Sequence, residues 1–278
     1  MTQPTWHGDI PERRRIGPLG WALVLLRGVP LALLLSGGLL LLLLIRQVER
    51  PIHGLQRPWT PWITQGVCRT AFKLLGMRYR TQGKRMAHPG AVVANHSSWL
   101  DIFALNARKR VYFVSKAEVA GWIGIGWLAR ATGTIFIERS ARQARAQKEL
   151  FEARLAARHK LLFFPEGTSS DGQRVLPFKS TIFAAFFADS LKDQAWIQPV
   201  TVHYTAPKDA DTRFYGWFGD MSFGEHAIQV LAASPQGGVD VIYHEPVPVS
   251  DFADRKSLAA HCEAVVRSGF PEGAVQPV

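Results

Sequence analysis

The heptapeptide NHSSWLD, residues 95–101, follows the short apolar run AVVA at 91–94 and precedes the apolar residues IFAL at 102–105. The run before it is typical of a buried strand, whereas the residues after it fit the buried face of a helix. The chain is therefore predicted to pass from a strand through a tight polar turn into a helix. Either Ser97 or Ser98 can cap that helix by accepting a bond from one of its first backbone amides.

His96 and Asp101 are the residues of this turn that suit acid–base chemistry. A neutral imidazole can take a proton from a hydroxyl, and a carboxylate on the other ring nitrogen fixes the tautomer and stabilises the imidazolium. Their separation of five residues fits one face of an ideal helix poorly, so at least His96 is expected in the non-helical turn. The competing interpretation is a structural histidine that forms hydrogen bonds at a helix N-terminus.

Composition narrows the class of protein. The chain has 278 residues and a formal net charge of +11, which is enough for one sizeable α/β domain with an appendage. Two cysteines provide no disulfide framework, and nine scattered histidines show no metal-ligand spacing, so neither a metal nor a cofactor is expected. The positive charge suits nucleic acid or an anionic membrane surface. Because the N-terminal segment is apolar and no nucleic-acid-binding signature is present, the membrane is the predicted partner and nucleic acid is not.

Five segments are predicted along the chain: a basic N-terminal segment (1–20), a transmembrane anchor (21–45), a joint with an amphipathic membrane-surface stretch (46–76), an α/β domain (77–270) and a tail (271–278). Within the anchor, the 18 residues 28–45 are uncharged and long enough to cross a bilayer. Arg27, the one charge of the anchor, is expected to snorkel to the interface. A re-entrant or interfacial segment is one alternative; a cleavable signal peptide fits less well, because no Ala-x-Ala-like site follows.

Beyond the anchor, the patterning becomes that of an alternating α/β domain. Strands are predicted at 111–114, 133–139, 161–164, 196–202 and 239–243, and helices at 140–159, 178–191 and 254–267. The basic amphipathic stretch 59–75 suits either a bilayer surface or packing on the domain. Residues 121–127 are predicted to form an apolar helix or loop facing lipid or an acyl chain. The aromatic segment 206–226 is either a loop at the mouth of the site or a covering loop.

Three predicted strands end in polar residues: one before His96, one at Arg139 and one before Glu166 and Gly167. Ligand-binding groups collect at the carboxyl ends of the strands in open α/β sheets, so these residues are expected to meet. A base, a cation and a glycine-bearing turn with free backbone N–H groups suit the transfer of an acyl group to a hydroxyl on an anionic molecule.

Four blocks resemble those of the glycerolipid acyltransferases, in the family's order: the H-x4-D motif of residues 95–101, then 133–139, 164–168 and 197–200. The resemblance implies a mixed α/β sheet flanked by helices. It also implies that His96 is the general base, that Asp101 orients it, and that Arg139 and the turn Glu166-Gly167-Thr168 bind the acceptor's headgroup. Since Glu166 is itself an anion, we expect it to act by hydrogen bonding or by ordering the turn.

The same resemblance implies an enzyme on the cytoplasmic face of the inner membrane that moves an acyl group from acyl-CoA or acyl-carrier protein to a lysolipid. The first expected acceptor is 1-acylglycerol-3-phosphate, which would give phosphatidic acid. Residues 116–122 and 169–180 resemble the subgroup of lyso-ornithine lipid acyltransferases, which is the alternative. Arg174 and Lys179 fit the phosphate of one acceptor or the carboxylate of the other, unless they are only solvated loop charges.

Two other classes compete with acyl transfer. A lipid hydrolase would use Ser97 or Ser98 as its nucleophile, but neither lies in a G-x-S-x-G elbow and each is awkwardly close to its own base. A non-catalytic lipid-binding protein would use the same pocket, although the intact pair of His96 and Asp101 favours an enzyme.

Overall fold

A computed structural model describes residues 6–12, 14–122, 125–137 and 144–271. Its strands are β1 (Arg78–Gln82), β2 (Gly90–Ala94), β3 (Tyr112–Lys116), β4 (Ile135–Ile137), β5 (Lys160–Phe163), β6 (Trp196–Thr205), β7 (Gly238–Tyr243) and β8 (Val247–Pro248). Its α-helices are α1 (Pro18–His53), α2 (Thr60–Leu75), α3 (Asp101–Asn106), α4 (Ile125–Thr132), α5 (Ala144–Ala156), α6 (Asp189–Lys192), α7 (Phe223–Ala232) and α8 (Arg255–Ser268). Short 3₁₀ helices span Ala117–Gly121, Ser180–Phe187 and Val249–Asp251.

One mixed sheet forms the centre of the α/β domain. The strand order is β1-β7-β6-β2-β5-β3-β4, and β8 pairs with β6. Neighbouring strands run parallel except where β6 meets β7 and β8. β2 lies between β5 and β6, and all of its residues are buried, as expected for a parallel strand covered on both faces. The predicted mixed α/β sheet flanked by helices is confirmed.

Apolar side chains cover both faces of this sheet. Val92 and Ala94 belong to one buried cluster, together with residues of α2, α3 and α7. Ala91 and Val93 belong to the other, together with residues of α5, α8 and the 3₁₀ helix Ser180–Phe187. Because successive side chains of a strand alternate between faces, four consecutive apolar residues serve two cores. This double burial fixes the point at which the chain leaves β2 for His96.

The structure departs from the predicted elements in three places. Instead of one α-helix at 178–191, the chain forms the 3₁₀ helix Ser180–Phe187 and then α6. Side chains three residues apart eclipse in a 3₁₀ helix, which buries Phe183 and Phe186 in the same core. β1 escapes sequence patterning because its polar residues lie at the edge of the sheet. α7 begins within the segment expected to be a loop.

α1 extends beyond both ends of the predicted anchor 21–45 and into the predicted joint. Among the described residues it is the one helix long and apolar enough to cross a membrane, and it suggests membrane association. The expectation for Arg27 is wrong: its guanidinium donates to the carbonyl oxygens of Leu231 (2.8 Å) and Ala233 (2.6 Å) at the end of α7. The last carbonyls of a helix have no intrahelical partner and attract cations, so they compete with the interface for this side chain.

α1 packs on the protein through one face and exposes the other. Leu31, Leu42 and Glu49 are buried. Gly38 permits a close approach of α2, since a Cβ there would lie 2.5 Å from Cγ2 of Val67. Large apolar side chains are exposed along the helix: Leu19, Trp21, Leu25, Leu26, Val29, Leu33, Leu40, Leu41, Leu43, Leu44, Val48 and Ile52. A continuous apolar face of this length is suited to contact with lipid.

Glu49 closes the hairpin between α1 and α2. Its carboxylate accepts hydrogen bonds from the backbone amides of Trp59 (2.7 Å) and Thr60 (3.0 Å) and from the Thr60 hydroxyl (2.7 Å). An anion in this position is favourable because the amides at a helix N-terminus lack intrahelical acceptors. α2 packs on the domain through its buried residues, while Trp62 on its other side is 57% exposed.

Candidate active site

The turn between β2 and α3 brings His96 and Asp101 into contact. Nδ1 of His96 lies 2.7 Å from Oδ2 of Asp101, the distance of a strong hydrogen bond. The same oxygen accepts the backbone amides of Ser97 (2.9 Å) and Ser98 (3.1 Å). Asp101 is fully buried, whereas the side chain of His96 is 22% exposed. The carboxylate therefore holds the imidazole from inside, and Nε2 is the ring nitrogen left for a substrate.

Tyr204 of β6 is a third member of this site that sequence analysis did not identify. Its hydroxyl donates to Oδ1 of Asp101 at 2.7 Å, and its side chain is buried. Burial and the neighbouring carboxylate raise the pKa of Tyr204 well above its usual value, so the phenol keeps its proton and acts as a donor. The apolar residues Val200, Val202 and Tyr204 alternate along the sequence, which assigns Tyr204 to the face of β6 that joins the core, but that β6 lies next to β2 is seen only in the structure.

Glu166 lies behind His96 and orders two segments at once. Its Oε1 accepts the backbone amide of His96 (2.6 Å), and its Oε2 accepts the amide of Leu176 (2.8 Å). The side chain is fully enclosed, and this burial raises the pKa of Glu166 well above its usual value. Glu166 therefore occupies the ordering role expected for it and has no surface through which to touch a headgroup. Phe164, just before it, stacks on the His96 ring with centroids 4.1 Å apart.

The turn after Glu166 is joined to the backbone of His96 at both of its ends, by the side chain of Glu166 and by the amide of Ser170. Gly167 has a φ of +75°, a left-handed conformation in which glycine is unstrained. Downstream, the amide of Ser170 donates to the carbonyl oxygen of His96 at 2.9 Å. Among the described residues, the amides of Thr168 and Ser169 have no hydrogen-bond acceptor. Gly167 and Thr168 are thus close to His96 and partly exposed, as a substrate-binding turn requires.

The predicted cationic residues of the site have different surroundings. Arg174 forms a two-point ion pair with the buried Asp171, through Nε to Oδ1 (3.2 Å) and NH2 to Oδ2 (3.1 Å). Its charge is therefore balanced, which sequence analysis did not anticipate. Lys179 follows the same loop, is partly exposed, and donates its backbone amide to the carbonyl of Pro165 at 3.0 Å. Arg139 lies outside the described residues.

The aromatic segment 206–226 lies against the His96 turn. The amide of Trp217 donates to the carbonyl oxygen of Ser97 at 2.7 Å. From the turn, Trp99 Nε1 donates to Nδ1 of His226 (2.9 Å), and Nε2 of His226 lies 3.2 Å from the carbonyl oxygen of Phe214. Burial lowers the pKa of His226 to about 4, so its ring is neutral and bridges the two segments.

Two further observations concern competing chemistry. Ser97 and Ser98 are fully buried, and the Ser97 hydroxyl has no hydrogen-bond partner, so neither is placed as an exposed nucleophile for a hydrolase. Within the described ranges, no group of three or more histidine, cysteine, aspartate or glutamate side chains is arranged to hold a metal ion.

Comparisons with known proteins show which proteins this chain resembles. The acyltransferase family model matches residues 76–203. A lyso-ornithine lipid O-acyltransferase of Rhodobacter capsulatus is 57% identical over 97% of this chain and 98% of its own length. One of Brucella abortus is 36% identical over 77% of this chain and 84% of its own. The crystal structure of the 1-acyl-sn-glycerophosphate acyltransferase of Thermotoga maritima covers 90% of this chain and 95% of its own, with a TM-score of 0.62 and 22% identity, and shows the same fold.

Proposed function

Because this chain belongs to the acyltransferase family and is a lysolipid acyltransferase, we propose that its acceptor is lyso-ornithine lipid. The observation that carries this choice is the 57% identity to the Rhodobacter capsulatus enzyme over nearly the whole chain. The comparisons thus support the alternative acceptor better than 1-acylglycerol-3-phosphate, the first expectation from sequence. 1-Acylglycerol-3-phosphate is the second candidate, because the fold is shared with an enzyme of that name.

His96 is the proposed general base. Its Nε2 takes the proton of the acceptor hydroxyl while the hydroxyl oxygen attacks the carbonyl carbon of a thioester, either acyl-CoA or acyl-carrier protein. A C–O bond forms and the carbonyl electron pair moves to oxygen. When this intermediate collapses, the C–S bond breaks and the imidazolium returns the proton to the departing thiolate. Asp101, 2.7 Å from Nδ1, stabilises the imidazolium between the two steps.

The turn after Glu166 is the proposed binding element for the oxyanion. Backbone amides directed at a developing negative charge stabilise the intermediate without reorganisation. The amides of Thr168 and Ser169 suit this role because no described acceptor uses them. Glu166 supports the turn from behind through its bond to the His96 amide. No metal or cofactor takes part in this scheme.

Arg174 is the proposed contact for the negative group of the acceptor. Its side chain is 20% exposed beside the turn, whereas its partner Asp171 is 3% exposed and holds the guanidinium from the buried side. This pair fits a carboxylate or a phosphate, so the choice of acceptor depends on the similarity to the Rhodobacter capsulatus enzyme. Lys179 and Arg139 complete the proposed set of acceptor-binding residues, with Gly167 and Thr168 supplying the backbone of the turn.

We place the enzyme on the cytoplasmic face of the inner membrane, held there by α1 in a monotopic arrangement. Arg27 and Leu31 attach the first half of α1 to the catalytic domain, and Leu42 and Glu49 attach the second half. A helix packed on the domain along most of its length has only its outer face available for lipid. This packing supports a helix lying in one leaflet over one that crosses the bilayer.

The decisive experiment offers both acceptors to the purified full-length protein in detergent. Lyso-ornithine lipid and 1-acylglycerol-3-phosphate are each supplied with acyl-CoA or acyl-carrier protein, and products are read by mass spectrometry. We expect ornithine lipid as the main product. Turnover of 1-acylglycerol-3-phosphate alone would overturn the proposed acceptor while leaving the chemistry intact.

His96→Ala is the first mutational prediction. Removal of the base is expected to lower kcat by at least about 10²-fold, the usual contribution of general-base catalysis. Folding and membrane association should be unchanged, because the imidazole is partly exposed and its backbone bonds to Glu166 and Ser170 do not need the side chain. Circular dichroism and membrane fractionation serve as controls. Retained turnover in this variant would exclude His96 as the base.

A further inference from the structure

A group of arginine side chains lies at the amino ends of the parallel strands, opposite to His96. His96 follows the carboxyl end of β2, whereas Tyr112 begins β3 and His159 directly precedes β5. β2 and β3 each run parallel to β5, so Tyr112 and His159 lie at the opposite end of the strands from the catalytic pair. The rings of Tyr112 and His159 stack with centroids 3.9 Å apart.

Three arginines surround the Tyr112 ring, and we call Arg57, Arg110 and Arg154 the arginine cluster. Arg57 and Arg110 line a narrow cleft together with Tyr112, Leu42 of α1 and the first turn of α2. The guanidinium carbon of Arg154 lies 5.8 Å from the centre of the Tyr112 ring. At the exposed mouth of the cleft, Arg110 lies 4.6 Å above the ring of Trp62. The cluster is thus formed by three separate parts of the chain that meet beside the α1–α2 hairpin.

The cluster contains more donors than acceptors. Arg57 donates to the carbonyl oxygen of Ala131 (2.7 Å), yet its Nε is buried without a partner. NH1 of Arg154 lies 3.2 Å from Nδ1 of His159, and Nε of Arg154 is likewise buried without a partner. A buried N–H donor without an acceptor is destabilising, so an anion that reaches these arginines would be bound favourably.

The positive charge of the cluster is not balanced by the described carboxylates. Glu49 is the carboxylate whose charge acts on both Arg57 and Tyr112. Its oxygens already accept bonds from Trp59, Thr60 and Arg46. Burial and the charges of Arg154 and Arg57 lower the pKa of His159 to about 4, which keeps that ring neutral. Arg57 and Arg110 therefore line a cleft to which none of the described residues contributes a carboxylate, and Arg154 lies on the other side of the Tyr112 ring system.

The residues around the arginine cluster indicate that an anion bound there belongs to a lipid. Trp59 and Trp62 are 43% and 57% exposed, and tryptophan is enriched at the level of lipid headgroups. Trp59 also borders an open apolar depression with Leu44, Ile45 and Val48 of α1. Basic pockets beside membrane helices bind the phosphate-bearing headgroups of anionic lipids.

We propose that the arginine cluster binds the phosphate group of an anionic membrane lipid, whose acyl chains lie along the exposed face of α1. The site is separate from the acyl-transfer site and is not a second acceptor site. Acyl-CoA carries phosphate groups as well, so the same chemistry has a soluble source, and the experiment must separate the two.

The test measures lipid binding to the full-length protein in a neutral detergent by native mass spectrometry, with phosphatidylglycerol and phosphatidylcholine as probes. The wild-type protein is expected to retain phosphatidylglycerol in preference to phosphatidylcholine. The double variant Arg57→Gln with Arg110→Gln should bind phosphatidylglycerol at least about tenfold more weakly, because it removes two basic residues and each contributes about fivefold to the binding of an anionic lipid. The matched control, Arg80→Gln with Lys84→Gln, removes two exposed cations elsewhere and should bind it unchanged.

The single variant Arg110→Gln controls for misfolding of the double variant. Arg110 is exposed, whereas Arg57 bonds to the last turn of α4 and its loss could disturb the fold. This single variant should lose part of the phosphatidylglycerol affinity with no change in thermal stability. Equal binding by the wild-type protein and both cluster variants would overturn the proposal. Loss of acyl-CoA affinity without loss of lipid binding would reassign the cluster to the soluble donor. Acyl transfer in neutral detergent should persist in every variant, so failure here leaves the proposed function untouched.

Discussion

Asp101 accepts hydrogen bonds from His96 Nδ1, from the amides of Ser97 and Ser98, and from the hydroxyl of Tyr204. The two amides and His96 share Oδ2, and Tyr204 occupies Oδ1. An ionised carboxylate accepts only, so these donors use both of its oxygens and fix its plane. The imidazole is consequently held in one tautomer, with Nδ1 protonated. At the scale of residues, the site consists of His96 and Asp101 from one turn, and the phenol of Tyr204 on the distant strand β6 fixes the carboxylate.

Tyr204→Phe is predicted to lower activity without unfolding the protein. The ring still fills its place in the core, but Oδ1 of Asp101 loses its donor and the imidazole is held less firmly. We expect kcat to fall by about tenfold to a hundredfold, which corresponds to most of the roughly 1.5–3 kcal/mol that a hydrogen bond to a charged group contributes, with little change in KM.

The control for this prediction is Tyr79→Phe. Its hydroxyl donates to the carbonyl oxygen of Ala104 at 2.8 Å, a bond of similar length that does not reach the catalytic pair. If both variants lose the same activity, or if Tyr204→Phe raises KM and leaves kcat unchanged, Tyr204 has only a structural role.

At the scale of elements, α7 and the loop before it hold the catalytic turn from the side. Trp217 fixes the turn through the carbonyl of Ser97, and His226 fixes it through Trp99. The N-terminal half of α1 is in turn fixed to the end of α7 by Arg27. A chain of short contacts thus connects the apolar helix to the turn that carries His96.

The neutral state of His226 predicts a loss of stability in acid. Its pKa is lowered from 6.5 to about 4, so the folded protein binds this proton less readily than the unfolded chain. The stabilisation is fully present above about pH 6.5 and is lost as the pH falls towards 4, at about 1.4 kcal/mol per pH unit for each such histidine. His159, with the same direction and value, should add to the effect.

We therefore expect the Tm to fall between pH 7 and pH 5, and to fall less steeply in His226→Gln. Circular dichroism melts of both proteins at matched ionic strength measure the two slopes. Parallel slopes would show that protonation of His226 does not limit stability in acid.

The hairpin of α1 and α2 offers a test with adjacent glycines. A Cβ at Gly38 would lie 2.5 Å from the stiff side chain of Val67, whereas nothing lies within 4 Å of a Cβ at Gly37. Gly38→Leu should separate the helices and lower the Tm by several degrees, since the β-branched valine has little freedom to move. Gly37→Leu should be neutral or stabilising, because leucine favours a helix over glycine. Equal melting temperatures for the two variants would contradict the close packing at Gly38.

At the scale of the whole molecule, one side of α1 packs on the domain and the other side is an exposed apolar surface suited to lipid. Leu26, Leu33 and Leu40 lie seven residues apart on the outer face and are 70%, 69% and 60% exposed. The inner residue Leu31 is 8% exposed and belongs to the core. Leu31 therefore stabilises the domain, whereas the three outer leucines of the same apolar segment are available to lipid.

Replacing Leu26, Leu33 and Leu40 together by Gln is predicted to weaken membrane association while leaving the domain folded. The outer face would lose much of its apolar area, and that area supplies the binding free energy of a helix lying in a leaflet. Vesicle flotation and circular dichroism check the two parts. Leu31→Ala is the opposite case: it should cost about 2–5 kcal/mol of stability and leave flotation unchanged. Full flotation of the triple variant would favour a helix that crosses the bilayer.

The sequence by itself determined the features that depend on neighbouring residues: the strand–turn–helix unit around His96, the pairing of His96 with Asp101 and the apolar segment of α1. Only the tertiary structure decided the partners: Tyr204 on Asp101, Asp171 on Arg174, Arg27 on α7 and the arginine cluster beside Tyr112. The physical reason is the separation along the chain over which each kind of interaction acts. Periodicity and turn chemistry act over a few residues, whereas β6 meets β2 across about a hundred residues of chain, and no local pattern records which strand becomes the neighbour.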